Sequence, residues 1–177
     1  DDNFATIVEA VREGRSIYDN IRKAIHFLLS SNIGEIITIF AAMCFGWATP
    51  LLPIQLLWVN LVTDSLPAIA LGLDPAEKDV MERPPRKQET TLFGGGMGSR
   101  IVVEGMMIGM LALLAFGIGH VYFDHGQGYT VGRTMAFAVL SLSQLIHAFN
   151  MRTEHSLFHI SVLGNPFLVG AFLAGVA

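Results

Sequence analysis

Two short polar clusters interrupt apolar stretches of the sequence and contain the residues best suited to chemistry. Asn32 and Glu35 lie in an apolar run from about residue 24 to 47. Asn60, Thr63 and Asp64 lie in a second run, from about residue 54 to 73. An ionisable side chain at the centre of a bilayer helix costs about 3 kcal/mol or more, so such residues usually have a function. Two carboxylates accompanied by amide and hydroxyl oxygens indicate a cation site.

The spacing within each cluster predicts that its members act together. Asn32 and Glu35 are three apart, and Asn60, Thr63 and Asp64 are three and four apart, so each group shares one helical face. This oxygen set suits a hard cation such as Ca²⁺, whereas zinc or copper would favour His and Cys. Five side chains fall short of a full Ca²⁺ shell, so backbone carbonyls, water or another helix must complete it. Hydrogen bonds that merely join helices, or a proton relay through the carboxylates, are the competing interpretations.

The composition predicts an all-α membrane protein. Hydrophobic residues make up 52% of the chain and charged residues 15%, compared with about 25% charged in soluble domains. A helix needs roughly 20 apolar residues to cross the hydrocarbon core. We expect a bundle of four complete transmembrane helices plus the start of a fifth, at about 24–46, 54–72, 101–123, 134–150 and 160–177. The abrupt ends of the sequence suggest a fragment of a longer protein.

The segment before the first span is predicted to be helical as well. Apolar residues recur every three to four positions between residues 5 and 23, and nothing in the sequence breaks the pattern before Ala24. We therefore expect one continuous helix of about forty residues, or ~60 Å, whose first part extends as a cytosolic stalk. Such a rod, joined to a helix that carries the site, could act as a lever.

The positive charges predict the topology. Nearly all Lys and Arg residues fall before the first span or in segments 73–100 and 151–159, whereas Arg133 alone falls on the other side. The N-terminus is therefore expected in the cytosol. No basic tract suits nucleic acid. The short outer loops favour a plasma membrane over an internal one.

Prolines and glycines mark the connections between the spans. Pro50 and Pro53 indicate a short outer turn, and segment 73–100 is expected to be a non-helical connector. Pro67 lies inside the second span, just after Asp64. Proline removes a backbone hydrogen bond, and such breaks in membrane helices are tolerated where they line a polar cavity.

Four further features of the sequence bear on how the helices pack. Gly105 and Gly109 form a GxxxG pattern in the third span that allows close helix packing. Packing against the long first helix would provide a pivot, and plain helix packing without a pivot is the competing interpretation. His26 is expected to be solvated, and Glu104, near the membrane edge, receives no role. His147 is expected to be an interface residue, as is Asn150.

Three stretches of the sequence resemble a known family. They are DDNFATIVEAVREGRSIYDNIRKAIHFLLSSNIGEI, LLWVNLVTDSLPAIALGLDP and MERPPR. They are similar to the C-terminal membrane half of type II P-type ATPases, and most of all to the calcium pumps. The resemblance is dense over residues 1–86 and thinner beyond. It implies that residues 1–23 are the end of the phosphorylation domain and the stalk, and that residues 24–177 belong to the C-terminal transmembrane domain.

The resemblance also implies the ligands and the cycle. Ca²⁺ would bind from the cytosol and leave outward, driven by phosphorylation of an aspartate. In calcium pumps the transported ion is bound by the residues that match Asn32, Glu35, Asn60, Thr63 and Asp64.

Gln144 is a further candidate ligand from the same resemblance. It aligns with a glutamate of the two-ion pumps of internal stores, whereas plasma-membrane pumps have glutamine there. The missing carboxylate favours one Ca²⁺ per cycle. A packing amide is the competing interpretation.

Other parts of the family's machinery are not in this sequence. The phosphorylation motif, the nucleotide-binding and actuator domains and the first four membrane helices are absent, so no residue here is assigned as catalytic. ATP and Mg²⁺ would act only in those domains, and the partners would be lipid and the remainder of the polypeptide. The parent would be an ATP-driven translocase for Ca²⁺. The alternatives are a pump for Na⁺, Mn²⁺ or H⁺, an ATP-independent channel or carrier, or a membrane subunit.

Overall fold

The structure is a computed structural model that describes residues 4–76, 80–82, 93–124, 128–152 and 164–176. Within these ranges the chain forms helices and no strands. Residues 83–86 and 160–163, which belong to the MERPPR motif and the expected fifth span, lie outside them. The helices are α1 (Phe4–Cys44), α2 (Pro53–Gly72), α3 (Met97–Phe123), α4 (Thr130–Met151) and α5 (Pro166–Val176). The first four are long and apolar enough to cross a membrane, which confirms the predicted all-α bundle.

Helix α1 is one uninterrupted helix of 41 residues, as the periodicity predicts. At 1.5 Å per residue it is about 60 Å long, twice the thickness of the hydrocarbon core. The apolar side chains of its first half, such as Ile7 and Val11, are exposed. Its second half carries Glu35 and is buried along one face.

Helix α2 changes its geometry in the middle. An α-helical turn, Pro53–Trp58, leads into a π-helical segment, Val59–Asp64, and the α-helix resumes at Ser65. Pro67 contributes to this change, because it has no N–H to bond the carbonyl of Thr63 four residues earlier. The expected break therefore takes the form of a widened turn, a feature found frequently at functional sites.

Helices α3 and α4 begin four residues before the expected spans, at Met97 and Thr130. For α4 the reason is a cap. The Asp124 carboxylate accepts hydrogen bonds from the N–H groups of Val131 (2.8 Å) and Gly132 (3.1 Å), which satisfies donors that a helix start leaves unbonded.

The glycines of α3 form its contact with α1, which confirms the close helix packing that the GxxxG pattern predicts. A Cβ atom added to Gly105 would lie 2.6 Å from Cγ2 of Ile33, and one added to Gly109 would lie 2.8 Å from the carbonyl oxygen of Gly34. Only glycine permits this approach, and it brings the two backbones together one turn from Glu35.

The connections alternate between the two ends of the bundle. At one end, Arg133 donates to the carbonyl oxygen of Thr49 at 2.9 Å. At the other, Lys23 donates to the carbonyl oxygen of Arg152 at 2.6 Å, and Arg22 donates to that of Gly94 at 2.5 Å. The four long helices therefore run up and down in sequence order.

Two apolar clusters fill the space between the helices, one on each side of the polar site. The first consists of Leu51, Val59, Ile108, Ala112, Phe116, Ala136 and Leu140. The second consists of Phe27, Ala70, Leu71, Ala148 and Leu168. Between them lies the layer of polar side chains described next.

Candidate cation site

The two polar clusters meet inside the bundle. Glu35 on α1 is 6% exposed, and Thr63 and Asp64 on α2 are 0% and 1% exposed. Asn32 is half-buried and Asn60 is exposed. The site is therefore enclosed by α1, α2 and α4 and open on the side where Asn60 lies.

The carboxylate of Glu35 is the centre of a hydrogen-bond network that spans three helices. One oxygen accepts a hydrogen bond from the amide of Gln144 at 3.1 Å, and the other accepts one from the amide of Asn60 at 3.1 Å. The amide oxygen of Gln144 accepts a hydrogen bond from the hydroxyl of Thr63, also at 3.1 Å. Gln144 is fully buried and thus connects both carboxylate-bearing helices to α4.

Asp64 has a different environment. Both of its carboxylate oxygens are buried, and neither accepts a hydrogen bond of standard geometry from the described part of the chain, although the Ser31 hydroxyl is close enough to interact with the group. The group interacts electrostatically with Glu35, another acid. Burying a carboxylate without a partner is unfavourable by several kcal/mol, so the arrangement requires either a proton or a cation at this position.

Asn32 lies at the edge of this network. Its amide donates to the carbonyl oxygen of Leu28 at 2.7 Å. No hydrogen bond joins it to the other four predicted ligands among the described residues, although its position one turn before Glu35 keeps it on the same side of α1.

The chemistry of the cluster is that of an oxygen site with a formal charge of −2. The described residues contain no group of three His, Cys, Asp or Glu side chains that could hold a metal ion. The neutral ligands must therefore come from amides, hydroxyls or backbone carbonyls. Such a mixture suits a hard cation of low charge density.

A second cluster corrects two expectations about single residues. His26 is not solvated, because its Nε2 lies 2.6 Å from a carboxylate oxygen of Glu104, which therefore has a role in packing. His147 lies 3.6 Å from the same oxygen and 2.8 Å from the hydroxyl of Ser30. The group joins α1, α3 and α4 beside the cation site, and His147 is an interface residue, as expected.

A third cluster was missed by sequence reasoning. The Asp74 carboxylate follows α2 and accepts hydrogen bonds from Arg152 and from Asn165, each at 2.9 Å, with Lys23 at 3.9 Å. Asn20 donates to the backbone carbonyl of Asp74 at 2.7 Å. The signal in the sequence was weak, since Asp-Pro after a helix is also typical of an ordinary turn.

Comparisons with known proteins identify the family of the chain. The family model "Cation transporting ATPase, C-terminus" matches residues 48–177. A "Calcium-transporting ATPase" of Bacillus subtilis is 49% identical over 176 residues, which cover 99% of this chain and 20% of that protein. "Calcium-transporting ATPase 1" of Bacillus cereus is 47% identical over 190 residues, covering 99% of this chain and 21% of that protein. "Calcium-transporting ATPase lmo0841" of Listeria monocytogenes is 38% identical over 174 residues, which cover 98% of this chain and 19% of that protein.

A bundle of four apolar helices and the match to the cation-ATPase family model indicate the membrane domain of an ion-transport protein. The chain belongs to the family of cation-transporting ATPases and contains part of their C-terminal membrane region. It spans about a fifth of the length of the curated relatives it matches.

Proposed function

We propose that this chain is the ion-binding transmembrane part of an ATP-driven pump that exports Ca²⁺ from the cytosol. The observation that carries the proposal is the Asp64 carboxylate, which is buried beside Glu35 and accepts no hydrogen bond of standard geometry from the described residues. A divalent cation would neutralise both acids at once. The names of the relatives, all calcium-transporting ATPases, support Ca²⁺ as that cation.

The proposed ligands divide into two groups. Glu35 and Asp64 supply the charge. Neutral oxygens come from Asn32, Asn60 and Thr63. Because the open side of the site lies at Asn60, helices from the rest of the polypeptide would supply the remaining ligands there.

Gln144 supports the proposal that one Ca²⁺ moves per cycle. It is neutral, so the charge available from the two acids is −2, which balances a single divalent ion. Its amide group donates a hydrogen bond to the Glu35 carboxylate, and its amide oxygen accepts one from the Thr63 hydroxyl, each at 3.1 Å. A second ion would need a further carboxylate.

The proposed pump places the Phe4 end of α1 in the cytosol and the bundle in the plasma membrane. The distribution of Lys and Arg supports this orientation. Phosphorylation of an aspartate, with ATP and Mg²⁺, would take place in domains outside this chain. Residues 1–23 would connect to them.

The long helix α1 would transmit that event to the site. It is continuous from Phe4 to Cys44, and Gly105 and Gly109 hold it against α3. A rotation about this contact would move Glu35 relative to Asp64, which lies on a different helix. The change in distance between the two acids would alter the affinity for Ca²⁺.

The test is ATP-driven uptake of ⁴⁵Ca²⁺ by inverted vesicles that contain the full-length parent. Asp64→Asn should abolish uptake while ATP still binds with unchanged affinity, which shows that the protein is folded. Uptake by the variant at the wild-type rate would contradict the proposed site. Uptake of another cation, but not of Ca²⁺, by the wild-type protein would contradict the proposed ion.

A further inference from the structure

Two histidines and one carboxylate form a histidine–glutamate cluster where α1, α3 and α4 meet. Nε2 of His26 lies 2.6 Å from a carboxylate oxygen of Glu104, and Nε2 of His147 lies 3.6 Å from the same oxygen. His147 is buried, and the other two residues are half-buried. The hydrogen bonds of the described residues do not join this cluster to Glu35 or Asp64, so it is separate from the candidate cation site.

The hydroxyl of Ser30 indicates which ring nitrogens carry hydrogen. It lies 2.9 Å from the carbonyl oxygen of His26 and 2.8 Å from Nε2 of His147. A hydroxyl has one hydrogen and two lone pairs, so a hydroxyl that donates to the carbonyl accepts a hydrogen bond from the Nε2–H of His147. His26 likewise donates from Nε2 to the Glu104 carboxylate. In both rings Nδ1 is then the atom that would bind a further proton.

The charges of the cluster suit the binding of one proton. With both imidazoles neutral, Glu104 leaves a single negative charge inside a membrane-length helix, which is unfavourable. One imidazolium would balance that charge. A second would place two cationic rings with centroids 6.5 Å apart and only one carboxylate between them. The cluster therefore favours the uptake of a single proton.

Few other charged groups lie near the cluster. His147 interacts electrostatically with Glu104 and His26. The charged side chains nearest to the cluster along each helix are Arg22, Lys23 and Glu35 on α1, Asp64 on α2, Arg100 on α3 and Arg152 on α4. Helix α5, Pro166–Val176, has no ionisable side chain. Arg22, Lys23 and Arg152 bond to groups outside the cluster, so Glu104 is the acid that faces both imidazoles.

The cluster lies at the close contact between α1 and α3. Glu104 precedes Gly105, and a Cβ added to Gly105 would lie 2.8 Å from the carbonyl oxygen of Ser30. The bond from His26 to Glu104 therefore spans the contact about which α1 is proposed to rotate, and the bond from Ser30 to His147 adds α4. Rotation of α1 must lengthen these bonds. A hydrogen bond between ionised groups is about twice as strong as a neutral one, so a proton on the cluster would oppose the rotation.

We infer that His26, Glu104 and His147 form a binding site for one proton, through which acidification of the cytosol restrains α1 and slows transport. The inference rests on the proposed function, because it concerns the rate of a movement within the pump. The proton-bound form becomes more populated as the pH falls, so the restraint strengthens on acidification and weakens as the pH rises. Protons that compete with Ca²⁺ at Glu35 or Asp64 would instead raise the Ca²⁺ concentration needed. The rate at saturating Ca²⁺ separates the two effects.

The experiment is ATP-driven uptake of saturating ⁴⁵Ca²⁺ by inverted vesicles that contain the full-length parent. The pH of the bath, which faces the cytosolic side, is varied from about 8 to about 6, the range in which histidine titrates. Glu104→Gln keeps a polar side chain but removes the charge that balances the proton. The ratio of its rate to the wild-type rate should rise about fivefold as the pH falls, because only the wild type gains a charged hydrogen bond. Taking this ratio cancels the pH dependence of the domains outside this chain.

His26→Lys should have the opposite effect, because its charge is present throughout this pH range. It should transport slowly even at the alkaline end, where the wild type is fast. Equilibrium binding of ⁴⁵Ca²⁺ shows whether each variant is folded, and either variant alone decides the question. His120→Gln is the matched control, since it removes a histidine near the carboxylate of Asp124 at the other end of α3. It should retain the wild-type pH profile.

The outcomes separate this inference from the proposed function. Rates that depend on pH identically in the wild type and in both variants would overturn the inference and leave the proposed function intact. Variants slowed by one constant factor at every pH would also overturn it, since only packing would have changed. A wild-type parent that takes up no Ca²⁺ at any pH would refute the proposed function, and the inference with it.

Discussion

Two buried aspartates, ten residues apart in the sequence, differ in the hydrogen bonds that their carboxylates receive. Asp74, just beyond α2, is 7% exposed and receives hydrogen bonds from Arg152 and Asn165 at 2.9 Å. Asp64, in the π-helical segment, is 1% exposed and receives no hydrogen bond of standard geometry from the described residues. The hydrogen bonds to Asp74 indicate that its carboxylate stabilises the packing of the helices. The carboxylate oxygens of Asp64 lack such bonds, so we propose that they bind an ion.

The surroundings reinforce the contrast. Asp74 faces a guanidinium and an ammonium, so its charge is balanced by the protein itself. Asp64 lies near Glu35, another acid, and forms no ion pair with a basic side chain of the described residues. Replacing each aspartate should therefore affect different properties.

The largest expected effect is the loss of Ca²⁺ binding in Asp64→Asn. Removing one of two charged ligands should raise the Kd about a hundredfold or more, equivalent to about 2.7 kcal/mol. Equilibrium binding of ⁴⁵Ca²⁺ to the full-length parent measures it. Asp74→Asn is the matched control and should retain measurable binding in protein that remains folded. If both variants lost binding equally while folded, the distinction between the two aspartates would fail.

For the stability of the membrane domain we expect the opposite order, with a larger effect of Asp74→Asn than of Asp64→Asn. Asp74→Asn removes the carboxylate from a buried ion pair and should destabilise the membrane domain by about 3 kcal/mol. Asp64→Asn removes a buried acid that lies near a second acid, Glu35, and should leave stability unchanged or raise it. Thermal unfolding of the detergent-purified parent in the absence of Ca²⁺ gives both values. Glu9→Gln, which removes an exposed pair with Arg12, is the control and should shift the midpoint little. A midpoint lowered more by Asp64→Asn than by Asp74→Asn would contradict this assignment.

A smaller effect is expected at Gln144, which connects Glu35 to Thr63. Gln144→Leu keeps the volume but removes both hydrogen bonds, one of them to a charged group, at a cost of about 1.5–3 kcal/mol. The Kd for Ca²⁺ should rise about tenfold or somewhat more. Gln144→Glu would add a third acid to the site. The number of Ca²⁺ ions bound per protein would then show whether the neutral side chain of Gln144 limits the site to one ion. Two Ca²⁺ ions bound by wild type would contradict the neutral, one-ion interpretation of Gln144.

The smallest effect concerns the contact that would serve as a pivot. Gly105→Ala places a Cβ 2.6 Å from Cγ2 of Ile33 and 2.8 Å from the carbonyl oxygen of Ser30, so α1 and α3 must separate. Transport should slow several-fold, while the Kd for Ca²⁺ changes less. Gly98→Ala, on the same helix with nothing within 4 Å, is the control. Equal transport rates for the two variants would show that the close contact is not needed.

Much of the fold was predictable because it depends on local patterns. Apolar length predicts the four spans, unbroken periodicity predicts the long α1, and small residues at Gly105 and Gly109 predict its contact with α3. The two polar clusters were also predictable, since acids within apolar runs are rare. Pro67 indicated a break in α2, although not its π-helical form.

The remaining features depend on partners that are distant in the sequence. Glu104 lies 78 residues from His26, and Arg152 lies 78 residues from Asp74, so only the packed bundle brings them together.

The most direct test of the account is an experimental structure of the full-length parent in Ca²⁺. We expect one ion between α1 and α2, about 2.3–2.6 Å from oxygens of Asp64 and Glu35. Asp74 should keep Arg152 and Asn165 as its partners and bind no ion. A Ca²⁺ ion found elsewhere, with the Asp64 carboxylate bonded only to protein, would contradict the central claim.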